Sequence, residues 1–174
     1  MGRRNFLIEG GSGTGKTSVC EELIRRGYQA IHGDRELAYQ GDPITGDPVE
    51  VSGLAVHHHH IWRVDKLEAL ITDQRELVTF FCGGSRNLIK FADLFEGIFV
   101  LEVDAGTLTR RLDERADGEW GGRGRHEERE LILQLHRTRE DTPEKGVWID
   151  ATAPLNEVVD EVLSRSAVTA GPVR

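Results

Sequence analysis

Gly10-Gly11-Ser12-Gly13-Thr14-Gly15-Lys16-Thr17 decides the fold of this chain, because it satisfies the pattern G-x-x-x-x-G-K-[S/T]. An apolar run at residues 6–8 precedes it and indicates a strand, and the segment 18–26 after it has a helical pattern that Gly27 ends. Glycines let successive backbone N–H groups surround a phosphate, and the positive end of a helix beginning at Lys16 adds to that cradle. The stretch therefore predicts a site for ATP or GTP.

The side chains of this phosphate-binding loop predict separate roles toward a nucleotide. Lys16 can reach the β- and γ-phosphates and so takes part in catalysis, and the hydroxyl of Thr17 can hold Mg²⁺. The residues expected to bind the nucleotide are Gly11, Ser12, Gly13, Thr14, Gly15, Lys16, Thr17 and Ser18.

Length, charge and cysteine content exclude several classes of protein. A chain of 174 residues fits one domain, and its net charge of −8 argues against general binding to nucleic acid. Cys20 and Cys82 form neither a disulfide framework nor a metal-binding spacing. No apolar run approaches a membrane span, and the short one before the loop does not fit a signal peptide. We expect a cytoplasmic protein, monomeric or homodimeric, with neither nucleic acid nor membrane as partner.

Strand and helix signals alternate along the chain, which predicts a parallel sheet with helices on both faces. Beyond the first strand and helix, strands are expected at 29–32, 77–82, 98–103 and 147–150, and helices at 54–71, 83–91, 105–116, 127–140 and after Pro154. The predicted fold class is α/β, a three-layer α/β/α P-loop NTPase fold with a five-stranded parallel sheet. One domain is expected over residues 1–165, with a flexible tail over 166–174.

Polar and glycine-rich segments follow the predicted strands, at the edge of the sheet where such folds bind ligands. They are Gly33-Asp34-Arg35, Cys82-Gly83-Gly84-Ser85-Arg86 and Asp150-Ala151-Thr152. With the phosphate-binding loop, they make the chain resemble the small P-loop kinases over about residues 5 to 165. These are the nucleoside and nucleotide monophosphate kinases, with shikimate and gluconate kinases as relatives. The resemblance implies transfer of the γ-phosphoryl group of Mg·ATP to a small acceptor.

The resemblance assigns the acceptor site to two of these segments. Asp34 would orient and deprotonate the acceptor and help to hold Mg²⁺, with Arg35 beside it; the alternative is a helix N-cap. Gly83, Gly84 and Arg86 would contact the acceptor, although Arg86 could also be a solvated helix residue. In these kinases an Asp that holds magnesium through water often ends this strand, and here Cys82 stands in its place.

Arg111-Leu112-Asp113-Glu114-Arg115 is similar to the arginine run at the base of the lid in these kinases. By that resemblance Arg111 covers the adenine and Arg115 stabilises the transferring phosphoryl group. The alternative is exposed charge on an amphipathic helix. The glycine-rich segment 117–126 would be the lid, with Arg123 as its catalytic arginine, and Arg137 or Arg139 could also face the phosphates.

Four consecutive histidines, His57 to His60, do not have the surroundings of a metal site, since only Asp65 lies near at a suitable spacing. One of them, with Trp62, Arg63 or Asp65, could line the acceptor pocket, or the run could be a polar helix start without function.

The sequence leaves the acceptor open. A nucleoside or nucleotide is the first expectation, a sugar acid or shikimate-like compound the second, and a drug phosphotransferase substrate the third. A nucleotide-binding regulator without transferase activity is the alternative from another class, although such proteins usually end the Walker B strand with the Asp that Cys82 replaces.

Overall fold

Seven strands and seven α-helices make up the protein in this computed structural model, which describes residues 2–167. The strands are β1 (Gly2–Glu9), β2 (Gln29–His32), β3 (Ala38–Gln40), β4 (His60–Trp62), β5 (Glu76–Cys82), β6 (Gly97–Glu102) and β7 (Val147–Asp150). The helices are α1 (Lys16–Arg25), α2 (Gly33–Glu36), α3 (Ala55–His58), α4 (Val64–Thr72), α5 (Ala105–Asp113), α6 (His126–Thr138) and α7 (Leu155–Arg165).

The central sheet has five parallel strands in the order β2-β5-β1-β6-β7, which confirms the predicted fold class. The strand that enters the phosphate-binding loop is therefore the middle one. Parallel sheets are covered on both faces. Accordingly, every residue of β1 after the third and every residue of β5 after the second is buried.

Two clusters of buried side chains hold the two faces of the sheet. Phe6 and Ile8 pack with Leu23 of α1 on one face, whereas Leu7 and Phe81 pack on the other. This alternation follows from the twofold side-chain period of a strand. Full burial of each such side chain contributes about 1.5–3 kcal/mol.

The helix predicted over residues 54–71 is wrong in its middle third. The chain forms α3, then β4, then α4, and β4 pairs with β3 in a small antiparallel sheet. Trp62 at the end of β4 is 1 % exposed and its ring is parallel to that of Phe91, with centroids 5.5 Å apart. Burial of this indole in the second cluster outweighs the helical spacing of the neighbouring apolar residues.

The helix predicted over 83–91 is also wrong. Residues 83–87 are irregular, and two 3₁₀ turns follow at Leu88–Lys90 and Ala92–Leu94. The reason is the Asn87 side chain, whose Oδ1 accepts from Trp62 N at 3.0 Å and whose Nδ2 donates to Trp62 O at 2.9 Å. The amide of Asn87 thus occupies the edge of β4 and keeps this segment from forming an α-helix.

At the C-terminus, Ser166 is buried at 1 % exposure and its hydroxyl donates to the Leu163 carbonyl, so the expected flexible tail does not begin there. Residues 168–174 of that expected tail lie outside the described residues. Among the helices described, none is both long and apolar enough to span a membrane.

Candidate active site

The phosphate-binding loop joins β1 to α1 at the centre of the sheet. Gly15 precedes α1 with left-handed backbone (φ 104°), and no side chain caps that helix. The first N–H groups of α1 are therefore available to an anion, and Thr17 and Ser18 lie in this first turn. Lys16 Nζ donates to the carbonyl oxygens of Gly10 and Gly11, the latter at 3.0 Å.

Arg111 in α5 and Arg115, which follows the end of that helix at Asp113, both contact this loop. Arg111 donates to the carbonyls of Gly13 at 3.2 Å and Thr14 at 2.9 Å, and to that of Ala151 at 2.8 Å. It thereby ties the loop to the turn between β7 and α7. Neither arginine is the solvated helix charge of the alternative interpretation.

Arg115 bridges the loop and the lid segment 117–126. Its guanidinium donates to Ser12 Oγ at 3.2 and 3.3 Å and to the Trp120 carbonyl at 2.5 Å. Burial lowers the pKa of Arg115 from its ordinary value, which is expected of a cation held between two elements.

Two concave sites flank the loop. A groove of about 720 Å³ is lined by the loop, the start of α1, Arg35, Arg111, Arg115 and the turn after β7. A cavity of about 380 Å³ lies on the acceptor side. Among its lining residues are Glu9, His57, His60, Gly84, Ser85, Arg86, Trp120 and Asp141. Ser12, Lys16 and Asp34 line both, so the groove and the cavity meet at these three side chains.

Asp34 stands at this junction with its carboxylate held in place. Oδ1 accepts from Gly84 N at 3.1 Å and from His60 Nε2 at 3.2 Å. Desolvation opposes its ionisation, but the hydrogen bond from His60 and the charge of Lys16 together hold the pKa of Asp34 below its ordinary value. The side chain does not cap α2, in which Asp34 is the second residue, so the N-cap alternative does not describe its contacts.

The glycines after β5 make room for carboxylates. A Cβ on Gly83 would lie 2.5 Å from Asp34 Oδ1 and 2.7 Å from the Trp62 ring, and one on Gly84 would lie 3.0 Å from Glu9 Oε1. The structure thus brings the predicted residues Asp34, Gly83 and Gly84 together.

Arg86 belongs to the cavity and not to a solvated helix. Its backbone N–H donates to the His60 carbonyl at 3.0 Å. Its Nε donates to the His57 carbonyl at 3.2 Å and its Nη2 to His57 Nε2. Desolvation lowers the pKa of Arg86, and the charges of Asp141 and Glu9 partly offset this.

Three cavity residues were missed by sequence reasoning: Glu9, Trp120 and Asp141. Glu9 is 3 % exposed, and its Oε2 has no hydrogen-bond partner within residues 2–167. Burial raises its pKa to about 8. A signal for it existed, because a glutamate follows the apolar run 6–8 directly before the loop. Trp120 also had a signal in the sequence, because it is the single Trp, Tyr or Phe residue of the glycine-rich lid.

Other predicted residues lie elsewhere. Arg123 is exposed, lines neither concave site and donates from Nε to the Asp113 carbonyl at 3.1 Å. Arg139 pairs with Glu102 and lies over the Trp148 ring. Cys82 is buried in the first core cluster.

The histidine run divides between the cavity and its surroundings. His57 and His60 line the cavity, whereas His59 contacts the Gly41 carbonyl and His58 is exposed. Over the described part of the chain no three His, Cys, Asp or Glu side chains converge as a metal site.

Comparison with known proteins agrees with this architecture. No protein-family model matches the chain. The shikimate kinase of Bacteroides thetaiotaomicron superposes with a TM-score of 0.61 at 15 % identity, over 95 % of this chain and 99 % of that one. A gluconokinase of Sinorhizobium meliloti 1021 gives 0.52 at 22 % identity, over 94 % and 91 %. A sugar kinase of Janibacter sp. HTCC2649 gives 0.54 at 16 %, over 96 % of both chains.

A curated relative matches over a shorter stretch. The HPr kinase/phosphorylase of Enterococcus faecalis is 39 % identical over an alignment of 59 residues. The match covers 29 % of this chain and 19 % of that protein. The chain thus spans about a fifth of the length of this relative. The full-length superpositions, with the loop at the centre of the sheet, establish that the chain has the fold of the small P-loop kinases.

Proposed function

We propose that the chain is an ATP-dependent small-molecule kinase that transfers the γ-phosphoryl group of Mg·ATP to a hydroxyl group. The observation that carries this proposal is the junction of the groove and the cavity at Ser12, Lys16 and Asp34. A nucleotide in the groove and an acceptor in the cavity would meet beside an ammonium group and an ionised carboxylate, as phosphoryl transfer requires.

In the proposed reaction the acceptor hydroxyl attacks the γ-phosphorus, the bond to the β-phosphate oxygen breaks, and ADP leaves. Asp34 orients the hydroxyl and takes its proton. Lys16 and Arg115 stabilise the negative charge on the transferring group. The fold implies Mg²⁺, and the Thr17 hydroxyl and Asp34 carboxylate, both lining the groove, are the oxygen donors that would hold it. The ion would neutralise charge on the phosphates.

The charges of the cavity favour a neutral acceptor, and a nucleoside is our first assignment. The acidic side chains that line the cavity are Asp34, Asp141 and Glu9, of which Glu9 is mostly protonated at neutral pH because burial raises its pKa to about 8. The lysine and arginine side chains found there are Lys16 and Arg86. Lys16 serves the nucleotide, and Arg86 already contacts His57. An acceptor with a phosphate or carboxylate group would need a further cation.

A sugar or polyol acceptor is the second candidate. It is favoured by the similarity of the whole chain to a shikimate kinase, a gluconokinase and a sugar kinase.

The test is ADP release from Mg·ATP with separate pools of nucleosides, nucleoside monophosphates, sugars, sugar acids and shikimate. We expect turnover with the nucleoside pool. We expect Asp34→Asn to lower kcat by about 10²–10⁴-fold, because the proton acceptor and one charged oxygen donor to the ion are lost together. Lys16→Met is the blank. Tight ATP binding without acceptor-stimulated release in any pool would contradict the proposal and favour a regulatory nucleotide-binding protein.

A further inference from the structure

Two nearly parallel aromatic rings lie side by side in the lining of the cavity. The imidazole of His57, from α3, and the indole of Trp120, from the lid, are parallel within 8° with centroids 6.4 Å apart. Both residues line the cavity. This separation is near the upper end of the range for a direct aromatic pair.

The His57 ring is fixed from behind by Arg86. The guanidinium contacts both the backbone carbonyl and Nε2 of His57, so that Nε2 accepts and the ring proton lies on Nδ1. Burial and the nearby charge of Arg86 lower the pKa of His57 to about 3. The ring is therefore an uncharged face at neutral pH.

The Trp120 ring is fixed by the backbone on either side of it. The Trp120 carbonyl accepts from Arg115 at 2.5 Å, and the next N–H, that of Gly121, donates to Glu128 Oε2 at 3.0 Å. Glu128 is itself buried at 7 % exposure and accepts from Arg125. These contacts hold the lid backbone beside the indole, and Arg115 links this part of the lid to Ser12 of the phosphate-binding loop.

We propose that His57 and Trp120 bracket a planar ring of the acceptor, which makes the acceptor a nucleoside whose base lies between the two faces. This assignment of the acceptor rests on the proposed function, whereas binding of the ring itself does not. A ring inserted between two faces needs about 7 Å between them, so Trp120 moves outward on binding and the lid is the element that moves. Buried Glu9 and partly buried Asp141 supply polar groups at the cavity wall for the edge of a base.

The test measures binding without ATP, by calorimetry with adenosine, cytidine, guanosine, uridine and thymidine, and with ribose, gluconate and shikimate as compounds without an aromatic ring. We expect at least one nucleoside to bind and ribose not to. Base–aromatic stacking predicts that Trp120→Leu and His57→Leu each weaken binding by about tenfold or more. Trp120→Phe, which keeps a ring, stays within about threefold of wild type. Trp148→Leu is the control, because Trp148 does not line the acceptor cavity.

The outcomes separate this proposal from the proposed function. Nucleoside binding that the leucine variants lose, without phosphoryl transfer, supports the bracket and contradicts the kinase. Transfer to a sugar or polyol that is unchanged in both leucine variants supports the kinase and overturns the bracket. Equal nucleoside affinity in Trp120→Leu and wild type also overturns it.

Discussion

At the scale of single residues, the ionisation of the Glu9 carboxyl group in the cavity affects the stability of the protein. Burial is the main reason that its pKa rises to about 8, and the charges of Asp141 and Asp34 raise it further. The charge of Lys16 and a hydrogen bond from the Ser85 backbone act in the opposite direction without cancelling burial. Glu9 is therefore mostly protonated at neutral pH.

This shift predicts a pH dependence of stability. Below its ordinary pKa of 4.5, Glu9 is protonated in both the folded and the unfolded chain. Between 4.5 and about 8 only the folded protein keeps the proton, so the free energy of unfolding falls as pH rises through this window and its contribution levels off above it. Glu9→Gln removes the titration. From pH 4.5 to pH 8.5 we expect the variant to gain stability over wild type by on the order of 2–4 kcal/mol.

Urea denaturation of the two proteins, without nucleotide or magnesium, measures this difference. Parallel pH profiles for wild type and Glu9→Gln would show that Glu9 is ionised in the folded protein and contradict the prediction.

Single residues also show what the sequence could predict of the site. The spacing of the loop motif was enough to assign Lys16 and Thr17, because the motif fixes a local backbone shape. Asp34 followed from its position after a strand. Asp141 had no such signal, since it reaches the cavity only through the packing of the chain after α6, far from the loop in sequence.

At the scale of elements, the lid is packed as well as glycine-rich. Gly121 and Gly122 are buried, and a Cβ on Gly122 would lie 2.1 Å from the Ala116 carbonyl oxygen. Gly118 is exposed and a Cβ there would meet nothing within 4 Å. Glycine therefore permits close backbone contact in the middle of the lid, at Gly122.

This contrast predicts the effect of two matched substitutions. Gly122→Ala forces the backbone apart, so we expect a loss of about 1–3 kcal/mol in stability and a lower kcat, because Trp120 and the carbonyl bound to Arg115 are displaced. Gly118→Ala should leave the stability and kcat within experimental error of wild type. Thermal unfolding and the ADP-release assay measure the two effects. Equal behaviour of the two variants would mean that the lid does not hold this packed conformation.

Elements also mark the limit of sequence reasoning. Strands 29–32 and 147–150, the two edge strands of the sheet, were predicted at their observed bounds because turn-forming residues lie close to their ends. The helix prediction over 54–71 was wrong because apolar residues three and four positions apart also fit the observed structure. There β4 pairs with β3 and its Trp62 is buried. Only the pairing of β3 with β4 distinguishes the two, and that contact is non-local.

At the scale of the whole molecule, the groove of about 720 Å³ gathers residues from the phosphate-binding loop, α1, α2, α5 and the turn before α7. Arg111 joins three carbonyls from two of these regions. Because the groove exists only in the folded chain, a bound nucleotide stabilises all of it together. ATP at about 100 times its Kd adds about 2.7 kcal/mol.

We therefore expect saturating Mg·ATP to raise Tm by about 5–10 °C, as measured by scanning fluorimetry. Lys16→Ala should lose most of this rise. Substitution of the exposed Lys145 by Ala should keep it. A rise of the same size in Lys16→Ala would mean that the nucleotide binds away from the loop.

The contacts of Lys16 have a consequence for the rate at which nucleotide binds. Its ammonium group donates to the carbonyls of Gly10 and Gly11, so the loop itself holds this cation close to where a phosphate would arrive. Nucleotide entry is then an exchange of partners around one nitrogen atom, with no refolding of the loop to wait for. Capture of ATP should accordingly be limited by diffusion and steering, and the slow event of the cycle should lie in the movement of the lid.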